Sequence, residues 1–239
     1  ARPGIREAGL NGFSFNLFEG EVFGVGGVVG NGQRTLALLL SGMLPAEHGS
    51  VVFSGVDITH LPLKKRAEMG LRWLPSNPLE EALLPTRSIR ENVLLGFQRH
   101  QGFQLHGWFM REAIECWAKE QLQQNEVVHA ALTDSVQSLS GGNLQKLALA
   151  RALEGGPRLV VLEQPASGLD IRAQERMRDR VRNLNAGGTA FILISYDLDE
   201  LLALSHRIGI LYRGRMMGIA MRNDVSLEQL GRWMLGVEG

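Results

Sequence analysis

Cysteine is almost absent: Cys116 is the only one in 239 residues, so no disulfide can form within the chain. A lone cysteine fits a reducing compartment and reads as a small packed apolar side chain rather than a nucleophile. Excess charge of either sign is also missing. Lys+Arg and Asp+Glu both number 25, giving a formal net charge of zero. This argues against a nucleic-acid binder's basic face and against an acidic tail, so no nucleic-acid partner is expected. The six histidines (His48, His60, His100, His106, His129 and His206) show no metal-ligand spacing, which argues against a zinc site. No apolar run reaches the roughly 18–20 residues needed to span a bilayer, and no signal-peptide pattern opens the chain. The expectation is a soluble or peripheral cytoplasmic protein. It begins Ala1-Arg2-Pro3 without a methionine, as a piece of a longer chain would.

What is present is an alternation of apolar strands and amphipathic helices. Residues 13–17 and 21–26 read as two strands around a Glu19-Gly20 turn. A helix is expected over about 33–42, with Leu36, Leu39 and Leu40 on one face and Gly42 as its stop. Ser50 to Phe53 and Leu71 to Leu74 read as strands, with a short basic helix from Pro62 to Gly70 between them. From about Ser88 to Gln137 strand signals vanish, and Trp108, Phe109, Ile114, Trp117 and Leu122 form the apolar face of a helical insertion. Strands are expected again at 159–162, 189–194 and 207–212, separated by helices at 171–184 and 197–204. Beyond Arg213-Gly214-Arg215 come a last strand and a helix from Leu227 to Leu235. Such alternation implies a doubly wound, mainly parallel α/β sheet.

Two glycine-rich segments carry the chemistry. Gly27-Val28-Val29-Gly30-Asn31-Gly32-Gln33-Arg34-Thr35 has the glycines of a phosphate-binding loop, G-x-x-x-x-G-K-[ST], whose N–H groups point inward at an anion. That pattern also needs a lysine for the β/γ-phosphates and a hydroxyl for Mg²⁺. Here Gln33 stands at the lysine position and Arg34 at the hydroxyl position. Gln33 offers only a neutral donor, and Arg34 cannot ligate a cation but suits a phosphate. Thr35 has a hydroxyl, but one position further along a helix turns it about 100° away. The second segment is Leu139-Ser140-Gly141-Gly142-Asn143-Leu144-Gln145-Lys146, a serine and two glycines opening an amphipathic helix. The unpaired N–H groups of such a helix start, with its dipole, make an anion receptor. Downstream follow the apolar strand Leu159 to Leu162, the end Glu163-Gln164-Pro165, and Ser167-Gly168-Leu169-Asp170.

Glycine loop, LSGGN-type helix, apolar strand with an acidic end and SGLD loop, in this order, resemble the ATPase domain of ABC transporters over nearly the whole chain. The resemblance implies an ABC-type P-loop NTPase fold: an α/β, mainly parallel sheet with an antiparallel portion and a helical insertion. Residues 1–87 and 138–239 would form the ATPase core, and 88–137 a helical subdomain. It implies ATP and Mg²⁺ as cofactors, a second ABC ATPase domain in the same or a separate chain, transmembrane permease subunits, and a place on the cytoplasmic face of the membrane. The family's acidic pair, which holds the Mg²⁺ water shell and polarises the attacking water, falls on Glu163 and Gln164. Gln164 cannot take a proton at neutral pH. The family's switch histidine falls on Tyr196, after Ile194-Ser195. The glutamine or acidic residue after the Leu71–Leu74 strand falls near Ser76, in Pro75-Ser76-Asn77-Pro78, which also departs from the pattern.

Leu139, Ser140, Gly141, Gly142, Asn143 and Gln145, by contrast, match the signature that such a domain lends to its partner's ATP. Ser167, Gly168, Leu169 and Asp170 match the loop at the dimer interface. The LSGGN and GNGQ spellings are similar to the carboxyl-terminal half of simple-sugar or nucleoside importer ATPases. The expectation is one sound site, made from a partner's glycine loop and this chain's signature, and one impaired site made from Gln33, Glu163, Gln164 and Tyr196. A non-hydrolytic regulatory domain and a non-transport ABC ATPase are the alternatives.

Overall fold

The computed structural model describes residues 8–98, 101–105 and 108–237. The order of elements is β1 (Val22–Gly26), α1 (Gln33–Ser41), β2 (Val52–Phe53), β3 (Val56–Asp57), α2 (Leu63–Glu68), β4 (Leu71–Leu74), α3 (Pro78–Glu81) and α4 (Ile89–Leu94). Then come β5 (Gln104–Leu105), β6 (Trp108–Phe109), α5 (Arg111–Gln124), α6 (Gly141–Leu153), β7 (Leu159–Glu163) and α7 (Ile171–Ala186). The chain closes with β8 (Ala190–Ile194), α8 (Leu198–Leu204), β9 (Arg207–Tyr212), β10 (Arg215–Met221) and α9 (Leu227–Met234).

Six strands form the main sheet in the order β10-β9-β1-β8-β7-β4, parallel except for β10, which runs antiparallel to β9. β1, β7 and β8 are apolar and buried throughout apart from Glu163, itself buried, as strands covered on both faces must be. Their side chains alternate between two cores. Val160, Leu162, Phe191 and Leu193 meet α6, α7, α8 and α9 through Ala148, Leu153, Met177, Leu201, Leu230 and Trp233. Val161, Ile192 and Ile194 meet α1 through Leu36, Ala37 and Leu40 on the other face. Register brings the C-terminal ends of the inner strands level: Ile194 lies opposite both Val25 and Glu163. Gly27, Gln164 and Tyr196 therefore leave the sheet along one crevice, where doubly wound sheets bind ligands.

The C-terminal end of α1 is held by a buried cation. Arg66, 1% exposed, donates from Nη1 to the carbonyls of Leu39 and Leu40, from Nη2 to Thr59 and from Nε to Leu61. It satisfies the Leu40 carbonyl, adds a second donor to the Leu39 carbonyl beside the Gly42 N–H, and complements the negative end of the helix dipole.

Residues 83–147 contribute a third apolar cluster, with Leu83, Ile89, Val93, Ala118, Leu122, Val136, Leu139 and Leu147. α4 opens on a capping box between Ser88 and Glu91. Asn92, fully buried, donates to the carbonyls of Leu84, Arg87 and Ser88 and accepts from the Leu84 N–H. Arg151 of α6 donates to the Ala82 and Leu95 carbonyls, and burial pushes its guanidinium down to about 10.

Some sequence expectations differ from this picture. Residues 13–17 form no strand; Phe15 instead stacks on Phe23 with ring centroids 4.9 Å apart and on Phe13 at 6.2 Å, so ring packing rather than a ladder holds the segment. The insertion contains a short antiparallel pair, β5 with β6, where helix was expected. Trp108 and Phe109 sit on that pair's backbone; the expectation for their side chains, and those for Ala1-Arg2-Pro3, His100 and His106, lie outside the described residues. Cys116 is exposed rather than packed, because it lies on the outer side of α5, opposite buried Ile114, Ala118 and Leu122. Among the described residues no helix is long and apolar enough to cross a membrane.

Candidate functional site

β1 delivers the chain into the glycine loop, where glycine is required by space as well as by conformation. Gly27 has φ 137°, and a Cβ there would lie 2.3 Å from the Leu211 carbonyl and 2.5 Å from Gln33 Nε2. Asn31 pins the loop: its Nδ2 donates to the Val28 carbonyl at 2.9 Å, and its Oδ1 accepts the Arg213 N–H at 2.7 Å. The Gly214 N–H donates to the Asn31 carbonyl at 2.9 Å, so the β9–β10 turn braces the loop from behind. Val28 and Val29 form its exposed tip. Gly32 (φ 110°) is the N-cap of α1 and supplies no side-chain cap, which leaves the first N–H groups of the helix to an anion. That end of the site fits phosphate.

The next residues do not follow the phosphate-loop plan. Gln33 is fully buried, and its Nε2 turns back to the Gly26 and Val28 carbonyls at 3.4 and 3.3 Å, while its Oε1 has no partner. Arg34 Nη1 donates to both oxygens of Glu163, at 2.7 and 2.9 Å, and Nη2 pairs with Glu81 of α3. The guanidinium lies 5.2 Å from the ring centroid of Trp73 on β4, whose indole N–H also donates to Glu163 Oε1. Glu163 is 3% exposed at the end of β7; burial pushes its carboxyl up, against the opposing pull of Arg34 and the Trp73 indole. Burial likewise raises Glu81, again opposed by Arg34. Thr35 is buried and donates to the Ala8 carbonyl at 3.0 Å, as its place along the helix predicts. Mg²⁺ does not fit this arrangement: the hydroxyl position holds a cation, and both oxygens of the nearest carboxylate are engaged by it. Among the described residues no cluster of three or more His, Cys, Asp or Glu could hold a metal ion.

Gln164 follows at φ 48°, with its N–H on the Ile194 carbonyl at 2.9 Å and its Nε2 toward the same oxygen at 3.5 Å. A left-handed non-glycine residue here marks a fixed turn at the crevice. Tyr196 leaves β8 partly exposed, after Ser195, whose Oγ accepts the Asp197 N–H at 3.1 Å.

The LSGGN segment is built differently. Ser140 caps α6, its Oγ accepting the Asn143 N–H at 3.4 Å and Nδ2 at 3.0 Å, while Asn143 Oδ1 accepts the Val128 N–H. Leu139 is buried beneath, Ser140 and Gly141 are exposed, and a Cβ on Gly141 would meet nothing within 4 Å. A Cβ on Gly142 would lie 2.9 Å from the Gly168 carbonyl, so the helix start rests on the SGLD loop. In that loop Ser167 N–H bonds to the Gln164 carbonyl, Leu169 is buried, and Asp170 caps α7 through Ala173. Gln145 is buried and its Nε2 donates to the Pro165 carbonyl at 3.0 Å, tying the signature helix to the end of β7.

The structure thus gathers Gln33, Arg34 and Glu163 at one crevice, with Gln164 and Tyr196 at the ends of the neighbouring strands. It places Ser140 to Gln145 against Gln164 to Gly168. Sequence reasoning missed Trp73 and Glu81. The signal available was Arg34 itself, since a cation placed beside buried strand ends needs carboxylate partners.

A doubly wound α/β sheet with a glycine loop between its first strand and helix, and an exposed serine-glycine helix start, has the P-loop NTPase fold. The ABC transporter family model matches residues 10–167, and the chain belongs to that family. The nucleoside import ATP-binding protein NupA of Lactococcus lactis subsp. cremoris is 31% identical over 227 residues, 95% of this chain and 45% of the relative. A putative ribose/galactose/methyl galactoside import ATP-binding protein of Pseudomonas fluorescens is 30% identical over 92% of this chain and 42% of the relative. The chain spans less than half the length of these two relatives. A dimeric ATP-binding cassette in a post-hydrolysis state, bound to ADP and Pi, superposes with TM-score 0.77 at 22% identity, covering 89% of this chain and 90% of the other. That likeness bears on the fold.

Proposed function

We propose that this chain is an ATP-binding domain of a sugar- or nucleoside-type ABC importer, working head to tail with a second, hydrolytically competent ATPase domain. Its signature edge covers the partner's ATP, and its own glycine-loop site does not hydrolyse. The observation that carries this reading is the asymmetry between the two edges. Ser140 and Gly141 are exposed at an uncluttered helix start, whereas Arg34 is spent on Glu163 and Gln33 is folded into its own loop.

At the partner's site, the Ser140 hydroxyl and the free N–H groups at the start of α6 would face the terminal phosphate, and Gly141 leaves room for it. Ser167 to Asp170 would lie across the interface. At this chain's own site, the glycine loop and the start of α1 bind phosphate, but Gln164 takes no proton from water. Residues 1–87 and 138–239 serve as the ATPase core. Residues 88–137, with the Pro75–Pro85 loop, offer the surface for permease subunits on the cytoplasmic face of the membrane. The lengths and names of the relatives support a second ATPase domain and a sugar or nucleoside cargo.

The test is ATP hydrolysis by this chain alone, by the partner domain alone, and by the two together. The proposal expects turnover only from the pair, lost by about tenfold or more on Ser140→Ala in this chain. Turnover by this chain alone contradicts it. A pair that stays silent supports the regulatory alternative.

A further inference from the structure

Both features that a phosphate-loop site uses to hold its divalent cation are altered here in a coordinated way. The hydroxyl is replaced by Arg34, and the carboxylate, Glu163, is engaged by that same arginine through both oxygens. We infer that the Arg34 guanidinium stands in for the divalent cation in this chain's own half-site, which therefore takes a nucleoside triphosphate metal-free. The inference rests on the reading of an impaired half-site and says how the impairment is built.

Three observations carry it beyond a substitution in sequence. First, the guanidinium is mounted rather than loose. Glu163 and Glu81 hold its two terminal nitrogens, and the Trp73 ring covers it at 5.2 Å while donating to the same carboxylate. Planar, delocalised charge suits such a mount, and an ammonium would not fill it. Second, Glu163 is buried at 3% exposure, so its charge needs a counter-charge from somewhere; a Mg²⁺ ion could supply it, and Arg34 supplies it from within the chain. Third, the hydroxyl next along α1 is turned elsewhere, Thr35 Oγ1 donating to the Ala8 carbonyl. Mg²⁺ demands nearly octahedral oxygen ligands, and Arg34 already holds the carboxylate it would need.

The test uses the full chain and ATP as the probe, with binding followed by calorimetry and melting by thermal shift, in excess Mg²⁺ and in excess EDTA. For the wild-type chain the ATP response should agree within about twofold between the two conditions, and the ATP-free melting temperature should ignore Mg²⁺. Arg34→Ser removes the internal cation, so its melting temperature should fall by about 5–10 °C. With a hydroxyl now beside a vacated carboxylate, its ATP binding should become at least about tenfold tighter with Mg²⁺ than with EDTA. If Arg34→Ser fails to fold, the double variant Arg34→Ser/Glu163→Gln decides. Recovery of folding supports the counter-charge role, and continued failure overturns it. Wild-type binding that strengthens tenfold with Mg²⁺ overturns the inference, as does an Arg34→Ser chain that is fully stable or indifferent to Mg²⁺. None of these readouts involves a partner domain, so failure here leaves the proposed lending of the signature helix standing.

Discussion

Gly141 and Gly142 are adjacent, chemically identical and placed in different surroundings, which makes them a paired test of whether the LSGGN segment serves the fold or a ligand. Gly141 is the first residue of α6, lies outside the positive-φ region, and would have nothing within 4 Å of a Cβ added to it. A methyl group there removes backbone freedom from the unfolded chain at no steric cost, which stabilises by about 0.4–1 kcal/mol. For a domain of this size that is a rise of about 1–4 °C in melting temperature. Gly142→Ala instead drives its Cβ to 2.9 Å from the Gly168 carbonyl, a backbone atom that cannot step aside without moving the SGLD loop, and should cost about 1–3 kcal/mol. If the segment faces a partner's phosphate, Gly141→Ala should keep or raise the melting temperature and yet cut partner-dependent ATPase activity by about tenfold or more. Circular dichroism melts on the single domain and a coupled ATPase assay on the pair separate the two. A Gly141→Ala chain that is more stable and fully active would refute the reasoning, because the open space would then face nothing.

Further outcomes follow from the packing. Arg66→Ala leaves the carbonyls of Thr59, Leu61, Leu39 and Leu40 without their buried donor and should destabilise by about 3–5 kcal/mol, read by urea unfolding; a loss under about 1 kcal/mol would contradict its capping role. Asn31→Ala removes the bonds to Val28 and Arg213, so amide exchange at the glycine loop and the β9–β10 turn should quicken together by about tenfold, with little change at β7. Glu200 is buried with one carboxylate oxygen unpartnered, and burial raises its carboxyl above the ordinary value. The folded state therefore binds that proton at higher pH than the unfolded chain, and stability from this group falls as pH rises. Glu200→Gln should thus stabilise near neutral pH, with the gain shrinking as pH drops toward about 4.5; a gain independent of pH would exclude the titration as its cause.

Much of the architecture was legible because the strands β1, β7 and β8 are buried on both faces and read as short, unbroken apolar runs between turn signals. The signature helix was legible for a similar reason: Ser140, two glycines and an amphipathic run are all local. Residues 13–17 were not, since an apolar alternation looks the same whether it pairs in a ladder or, as with Phe15 on Phe23, only stacks. The substitutions at Gln33, Arg34 and Gln164 could be read in sequence, but not what they do. Arg34 meets Glu81 across 47 residues and Glu163 across 129, and Trp73 reaches Glu163 across 90. Those contacts depend on β4 and β7 lying side by side and on α3 following β4, which no local pattern announces.

The central claim is that this domain lends its signature to a partner and does not turn over nucleotide in its own loop. Vanadate trapping of ADP on the assembled pair of domains tests it most directly, with the trapped nucleotide counted per pair and its loop located by photo-crosslinking. The account predicts a single ADP per pair, attached to the partner's glycine loop and lost when Ser140 of this chain is changed to alanine. Two trapped ADP molecules per pair, or one attached at Gly27 to Arg34, would contradict it.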